Sequence, residues 1–182
     1  KYPKLIPYVT SFYKKNWGFG LEHEKRKKLK KGNYKVVIDT IFKKGSVKNG
    51  LTKIKGDSNQ IVLLSSYLCH PSMANNELSG ILVLIGLYEK IKKWKKNNFS
   101  YYFLINPETI GSICFLSTHR NILKKYLQSG LVLTCLGGPN AKLSYKKSRL
   151  GNSSLDRLFI YYAKKNHFLI RDFNPEYGAD ER

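Results

Sequence analysis

A polar loop that follows an apolar run is the first place in this sequence where chemistry could occur. Residues 61–68 form the run, and His70 comes just after it, with Asn76 and Glu77 a few positions further on. A neutral imidazole is a common zinc ligand, and amide or carboxylate oxygens can complete a cation site. The residues also allow a plainer interpretation, in which His70 is an ordinary loop histidine and residues 75–79 only begin the next helix.

A second polar loop carries the carboxylate that is best placed to act as a base. Glu108 follows the apolar stretch 101–105, and Pro107 before it restricts the backbone at that point. A carboxylate in such a position can take a proton from an attacking water molecule. The alternative is that Glu108 is only a favourable acidic residue at the start of a helix. The residues themselves leave both roles open.

Both loops need a scaffold that brings them together, and the sequence pattern predicts an α/β fold. Continuous apolar runs are typical of strands buried on both faces of a parallel sheet, and here they alternate with segments of helical periodicity. Because parallel strands end at the same edge of the sheet, the loops that follow them meet there. We predict strands at 61–68, 101–105 and 131–136, and helices at 81–93, 110–116, 121–127 and 154–164.

Residues 1–56 differ in character from the rest, so we predict a domain division after them. Residues 34–42 and 47–54 have the pattern of two strands joined by a turn, and residues 8–17 that of a connecting helix. We therefore assign the first segment to part of a small β-rich lobe, and residues 57–182 to the α/β domain.

The composition is that of a folded and strongly basic domain. Of the 182 residues, 42% are hydrophobic and 25% are charged, which supplies a core and argues against disorder. Lys and Arg number 33 against 12 Asp and Glu, so the net charge of +21 favours anionic partners. The lysines are dispersed, however, and no zinc-finger, KH, RNP or basic-zipper pattern accompanies them. Nucleic-acid binding is therefore the minor hypothesis.

Two further features bear on where the protein works. No apolar run reaches the roughly 18 residues that a membrane-spanning helix needs, so we expect no membrane partner. Cys69, Cys114 and Cys135 are too scattered for a disulfide framework, and we interpret them as buried free thiols in a reducing compartment. This interpretation favours a cytoplasmic location. Nothing in the sequence indicates the oligomeric state.

The two polar loops together resemble a known family. The segment HPSMANNELSG at 70–80 and the segment PETIGS at 107–112 are similar to bacterial aminopeptidase-like proteins, which are relatives of the co-catalytic zinc aminopeptidases and often accompany polysaccharide biosynthesis genes. Later segments agree, at 144–149, 151–157 and 178–182. The resemblance implies a three-layer α/β/α zinc-exopeptidase-like sandwich with a mostly parallel sheet and a small β-rich lobe inserted near the N-terminus.

The resemblance also implies roles for individual residues. His70 matches the first zinc-ligand histidine of the relatives, and Glu108 matches their general-base glutamate. Asn76 stands where they have a metal-bridging aspartate, and Glu77 lies beside it as a further oxygen donor. Arg149 is a candidate to pair with a carboxylate of the substrate.

Three positions depart from the family's pattern because they lack a carboxylate that the relatives use as a ligand: Asn76, Thr109 and Gly138. Neutral groups there leave too little negative charge for two divalent ions, so we expect one zinc ion rather than two. His70, an oxygen donor such as Glu77 and residues outside this chain would hold that ion. The final ligand histidine would lie beyond Arg182, so we expect the α/β domain to be incomplete at its C-terminal end.

These considerations favour a metal-dependent, aminopeptidase-like hydrolase that acts on a peptide or an amide-bearing small molecule. One alternative is a non-catalytic descendant that binds an acylated sugar or a peptide in the same cleft. Another is a basic module associated with nucleic acid. The first hypothesis requires that the side chains of His70 and Glu108 converge on one site.

Overall fold

The computed structural model of the chain describes residues 2–7, 16–41, 43–138, 142–174 and 180. The chain divides into two compact units, Lys1–Lys44 and Gly45–Arg182. Within the described part of the first unit, helix α1 (His23–Lys28) is the one regular element, and none of its residues is buried.

The strand predicted at 34–42 is wrong for the part that the structure describes, which reaches residue 41. Val37 and Ile41 are 79% and 85% exposed. An apolar, β-branched run forms a strand only where a second strand pairs with it, and the described residues of this unit contain no such partner. The helix predicted at 8–17 lies almost wholly outside the described residues, and membership of a β-rich lobe stays a prediction.

The two compact units meet between residues 44 and 45, and the domain division predicted after residue 56 stays a prediction. Strand β1 (Gly50–Ile54) pairs with strand β3 (Ser100–Asn106) in antiparallel register, so it belongs to the main sheet. The sequence suggested a separate lobe because a short strand shows its own local pattern but not its partner, which here lies about 50 residues further along the chain.

The main sheet has four strands in the order β1-β3-β2-β4, where β2 is Ile61–Tyr67 and β4 is Leu127–Val132. Strands β2, β3 and β4 are parallel, and β1 is an antiparallel edge strand. The register pairs Tyr67 with Asn106, so β2 and β3 end side by side. The predicted mostly parallel sheet is therefore confirmed.

Two helices cover the sheet, one on each face. Helix α2 (Ser79–Lys92) follows β2 after a π-helical turn at Ala74–Leu78, and helix α3 (Ile110–Tyr126) follows β3. Phe103 belongs to the hydrophobic core between α2 and the sheet, whereas Leu104 belongs to the separate core between α3 and the sheet. Since successive side chains of a strand point to opposite faces, α2 and α3 lie on opposite faces of the sheet. The result is the three-layer α/β/α sandwich.

This arrangement follows from the path of the chain. The connection from β2 to β3 runs one way along the sheet, and the connection from β3 to β4 returns past β2. Right-handed crossovers in opposite directions place their helices on opposite faces. The carboxyl ends of β2 and β3 therefore border the crevice at which α/β sheets bind ligands.

Helix α2 begins close to the end of β4 because Gly80 allows it. A Cβ atom at this position would lie 2.2 Å from the carbonyl oxygen of Leu133 and 2.6 Å from the hydroxyl of Ser66. Glycine is thus required for the close approach of the helix start to the sheet.

A second, two-stranded parallel sheet pairs β5 (Ser144–Lys146) with β6 (Leu169–Arg171), and helix α4 (Ser154–Asn166) connects them. Among the described residues, no helix is long and apolar enough to cross a membrane.

Candidate metal centre

Three side chains that can donate to a metal meet where β2 and β3 end. Cys69 and His70 lie in the loop after β2, and Glu108 lies in the loop after β3. One donor atom from each residue lies within 4.8 Å of the donor atoms of the other two. The structure thus brings His70 and Glu108 to one site, and it adds a thiol to them.

A buried carboxylate fixes the imidazole of His70. Glu77 is 1% exposed, and its Oε1 lies 2.7 Å from His70 Nδ1, while its Oε2 accepts a hydrogen bond of 2.5 Å from the peptide N–H of Cys69. Because a carboxylate only accepts, Nδ1 carries a proton, and in the neutral imidazole the lone pair is then on Nε2. Nε2 in turn lies 3.5 Å from Glu108 Oε2.

This geometry places Glu77 behind the imidazole of His70, and its role as an oxygen donor to the ion stays a prediction. The resemblance suggested Glu77 as an oxygen donor to the ion, but it contacts the nitrogen of His70 that points away from Glu108. A carboxylate behind a ligand histidine sets its tautomer and orientation. The π-helical turn at Ala74–Leu78 determines this direction, and the spacing of residues in the sequence did not reveal it.

Glu108 is presented by a strained turn. Thr109 has φ 61° and ψ −67°, and the N–H of Ile110 donates to the carbonyl of Glu108 at 2.7 Å, which defines a three-residue γ-turn. A β-branched residue with positive φ costs about 1–3 kcal/mol, and such strain is concentrated at functional sites. The turn leaves the Glu108 side chain 26% exposed beside the imidazole.

A distant carboxylate secures this turn. Asp180 accepts a hydrogen bond of 2.6 Å from the N–H of Thr109, and another of 3.1 Å from Asn106 Nδ2. Asn106 itself is 1% exposed and also donates to Ser112 Oγ at 2.8 Å. The sequence placed residue 180 in a family-like segment without a role for it, and its 71-residue separation from Thr109 explains why.

The cysteines correct another prediction. Cys69, Cys114 and Cys135 are exposed, whereas their apolar neighbours suggested burial. Cys114 lies on the outer side of α3, and Cys135 has φ 53° in the turn after β4, so neither follows the inward face of its element. The free thiols themselves were predicted correctly.

Cys69 differs from the other two cysteines in its surroundings. Partial burial of the sulfur raises the pKa of the Cys69 thiol, and the charges of Glu77, Glu108 and Asp180 raise it further. A hydrogen bond from the peptide N–H of Glu108 to Sγ, at 3.2 Å, acts in the opposite direction. Sγ also lies 3.3 Å from His70 Nδ1.

Two of the predicted site residues make no contact with His70 or Glu108 among the described residues. The side-chain nitrogen of Asn76 lies 3.8 Å from Cys135 Sγ, and its Oδ1 is buried without a hydrogen-bond partner. Arg149 is exposed in the turn after β5, and no contact among the described residues joins it to His70 or Glu108. Their roles as ligand and as substrate-binding residue stay predictions.

The chemistry of the cluster fits one zinc ion. Zinc accepts sulfur and imidazole nitrogen as ligands. The Glu108 carboxylate lies 3.5 Å from His70 Nε2, close enough to reach a water molecule on an ion held by that nitrogen. Asn76 and Thr109 bring no negative charge for a second ion.

Comparison with known proteins supports the resemblance. A Clostridium acetobutylicum protein, provisionally named for polysaccharide biosynthesis and an aminopeptidase-like domain, is 40% identical over 179 residues, which are 97% of this chain and 40% of the relative. A crystal structure from the same species, provisionally named a peptidase, superposes with a TM-score of 0.76 and 38% identity. That match covers 100% of this chain and 42% of the other. The chain thus spans about two fifths of the length of these relatives.

A more distant structure agrees on the fold. The M28 peptidase precursor of Shewanella amazonensis SB2B superposes with a TM-score of 0.53 at 15% identity, over 72% of this chain and 32% of that protein. The exopeptidase-like α/β/α fold that the sequence predicted is therefore confirmed. The family whose description is "Domain of unknown function (DUF4910)" matches residues 4–182. The chain belongs to this family, and its relatives and structural neighbours are aminopeptidase-like and peptidase proteins.

Proposed function

We propose that the protein is a metal-dependent, aminopeptidase-like hydrolase that uses one zinc ion to cleave a peptide or amide bond. The observation that carries this proposal is the line of contacts from Glu77 through the imidazole of His70 to Glu108. It joins a buried orienting carboxylate, a ring nitrogen with a free lone pair and a partly exposed carboxylate at the crevice of the sheet. The names of the relatives point in the same direction.

The residues of the chain would divide the work as follows. A zinc ion beside His70 Nε2 would polarise the substrate carbonyl and lower the pKa of an adjacent water molecule. Glu108 accepts a proton from the attacking water and returns it to the departing amine. Glu77 keeps the imidazole in one tautomer, and Asp180 holds the turn that carries Glu108.

The substrate we propose is a peptide or a small molecule that contains an amide. Arg149 would pair with a substrate carboxylate, and its exposure leaves the guanidinium available for such a contact. We place this activity in the cytoplasm, and the three free cysteines support a reducing compartment.

Zinc content and turnover test the proposal together. In the purified protein loaded with zinc, we expect Glu108→Gln to keep the metal and to lose about 10²–10⁴-fold in kcat on aminoacyl nitroanilides and N-acetylated amino sugars. His70→Ala should lose the metal itself. Glu89→Gln, an exposed change on α2, is the matched control and should alter neither quantity. A Glu108→Gln variant with the kcat of the unchanged protein would refute the hydrolase.

A non-catalytic binding protein is the second candidate. The neutral side chains of Asn76 and Thr109, where the resemblance implies metal-ligating carboxylates, favour it. In that case the protein would bind an acylated sugar or a peptide without turnover, and Glu108→Gln would leave the dissociation constant nearly unchanged. Calorimetric titration beside the kinetic assay separates the two functions.

A further inference from the structure

We propose that Cys69 is itself a ligand of the metal, so that the site is a cysteine–histidine centre. This inference rests on the proposed function and specifies which atoms of the chain hold the ion. Neither the motif that resembles the aminopeptidases nor the expected ligand set includes this cysteine.

The position of the sulfur is the first argument. Donor atoms of Cys69, His70 and Glu108 lie within 4.8 Å of one another. Cys69 is also exposed, so an ion can reach the sulfur without disturbing the core.

The local electrostatics give the second argument. Glu77, Glu108 and Asp180 place negative charge around the sulfur of Cys69. Such surroundings attract a cation, and they oppose a free thiolate. The peptide N–H of Glu108 donates to Sγ, and an N–H···S contact of this kind stabilises sulfur that carries negative charge.

The same geometry argues against a catalytic nucleophile at this position. A nucleophilic cysteine needs a base that accepts its proton. The nitrogen of His70 nearest to Sγ is Nδ1, which already donates its proton to Glu77. No imidazole lone pair therefore faces the sulfur to accept its proton. The groups around Cys69 support metal binding instead.

Two consequences follow for binding. A thiolate ligand favours zinc, cobalt or cadmium over magnesium, manganese or calcium, which prefer oxygen. When the ion binds, the Cys69 thiol loses its proton to solvent and the S–H bond is replaced by a sulfur–metal bond, with no oxidation of either partner.

Cobalt provides a direct readout, because a thiolate bound to Co²⁺ absorbs in the near ultraviolet by sulfur-to-metal charge transfer. We expect this band in the unchanged protein and in the matched variants Cys114→Ser and Cys135→Ser, and its loss in Cys69→Ser. Competition with a chelator should show that Cys69→Ser binds zinc more than about 100-fold more weakly. Circular dichroism of each variant shows whether it is folded.

Alkylation of the unchanged protein gives a second measurement that needs no variant. We expect zinc to protect Cys69 from iodoacetamide while Cys114 and Cys135 react as before, as mass spectrometry of the peptides would show. If the protein binds zinc but shows neither the charge-transfer band nor protection of Cys69, the inference is wrong and the proposed hydrolase stands. If no variant and no unchanged protein binds zinc, both fail.

Discussion

At the scale of single residues, the site depends on two acidic side chains that position His70 and Glu108. Glu77 selects the nitrogen of His70 that stays free, and Asp180 holds the γ-turn that presents Glu108. Glu77 contacts Nδ1 of His70 rather than the Nε2 that meets Glu108, and Asp180 accepts hydrogen bonds from Thr109 N–H and Asn106. Their contribution is therefore to geometry, and it can be measured apart from the chemistry.

The orienting role of Glu77 predicts a loss of metal affinity. Glu77→Gln removes the negative charge behind the imidazole and lets the ring adopt either tautomer, so zinc should bind about 10–100-fold more weakly. Chelator competition measures this. Glu89→Gln has the same chemistry on an exposed helix face and should change nothing. Equal affinities for the two variants would contradict the role assigned to Glu77.

The role of Asp180 predicts an effect on rate rather than on metal binding. Asp180→Ala frees the N–H of Thr109, so Glu108 moves from its position, and a misplacement of about 1 Å costs about 100-fold in rate. We expect a lower kcat with unchanged zinc content and nearly unchanged KM. A variant that loses zinc in proportion to its activity would show that Asp180 stabilises the whole centre instead.

The proximity of His70 and Glu108 could be predicted from the sequence. It requires only two adjacent parallel strands that end at the same edge of the sheet, and the apolar runs indicate such strands. The direction in which Glu77 points, the position of Asp180 and the exposure of Cys69 could not be predicted. Each depends on a local backbone conformation or on a partner far along the chain.

At the scale of elements, the start of helix α4 is a buried polar network. Asp156 is 0% exposed and accepts hydrogen bonds from the N–H and hydroxyl of Ser148, from the N–H of Ser153 and from the hydroxyl of Tyr145. Burial alone would raise the pKa of the Asp156 carboxyl, but the hydrogen bonds from Ser148 and Ser153 hold it well below its usual range. Burial and the bond to Asp156 raise the pKa of Tyr145 to about 12.

This network predicts a dependence of stability on pH. Because the folded-state pKa of Asp156 lies below its unfolded value of about 3.9, its contribution is complete above that value and is lost as the pH falls below it. At neutral pH, Asp156→Ala should lower the free energy of unfolding by about 2–4 kcal/mol.

Urea unfolding at pH 7 and pH 3 measures both effects. We expect Asp156→Ala to differ from the unchanged protein more at pH 7 than at pH 3. The control Asp57→Asn alters an exposed carboxylate with a long contact to Lys96 and should change stability by less than about 0.5 kcal/mol. A pH-independent difference for Asp156→Ala would contradict the assigned pKa.

Helix α3 shows why element boundaries are harder to predict than elements. The sequence indicated two helices at 110–116 and 121–127, but one helix runs from Ile110 to Tyr126. The polar stretch between them is helical, and the Thr118 hydroxyl donates to the carbonyls of Cys114 and Phe115 at 3.0 Å within the same helix instead of starting a new one. His119 stacks on Phe115 with 4.3 Å between ring centroids. The last predicted strand, 131–136, was placed too late, because Ser129 and Gly130 lie within β4 and not in a turn before it.

At the scale of the whole molecule, the candidate metal centre does not explain the net charge of +21. Dispersed lysines attract any polyanion, but the attraction decreases steeply with salt. We therefore predict weak binding of a single-stranded oligonucleotide at low ionic strength and no measurable binding at about 150 mM salt, as fluorescence anisotropy would show. Strong binding that persists at the higher salt would favour a nucleic-acid module instead.

The opposite faces of the sheet give the site a mechanical property. The loop after β2 leads into α2 on one face, and the loop after β3 leads into α3 on the other. A small ion or ligand that binds to both loops therefore connects helix α2 with helix α3, although they pack on opposite faces of the sheet. Occupancy should therefore slow amide hydrogen exchange in the first turns of both helices at once, even though the two helices cover separate cores.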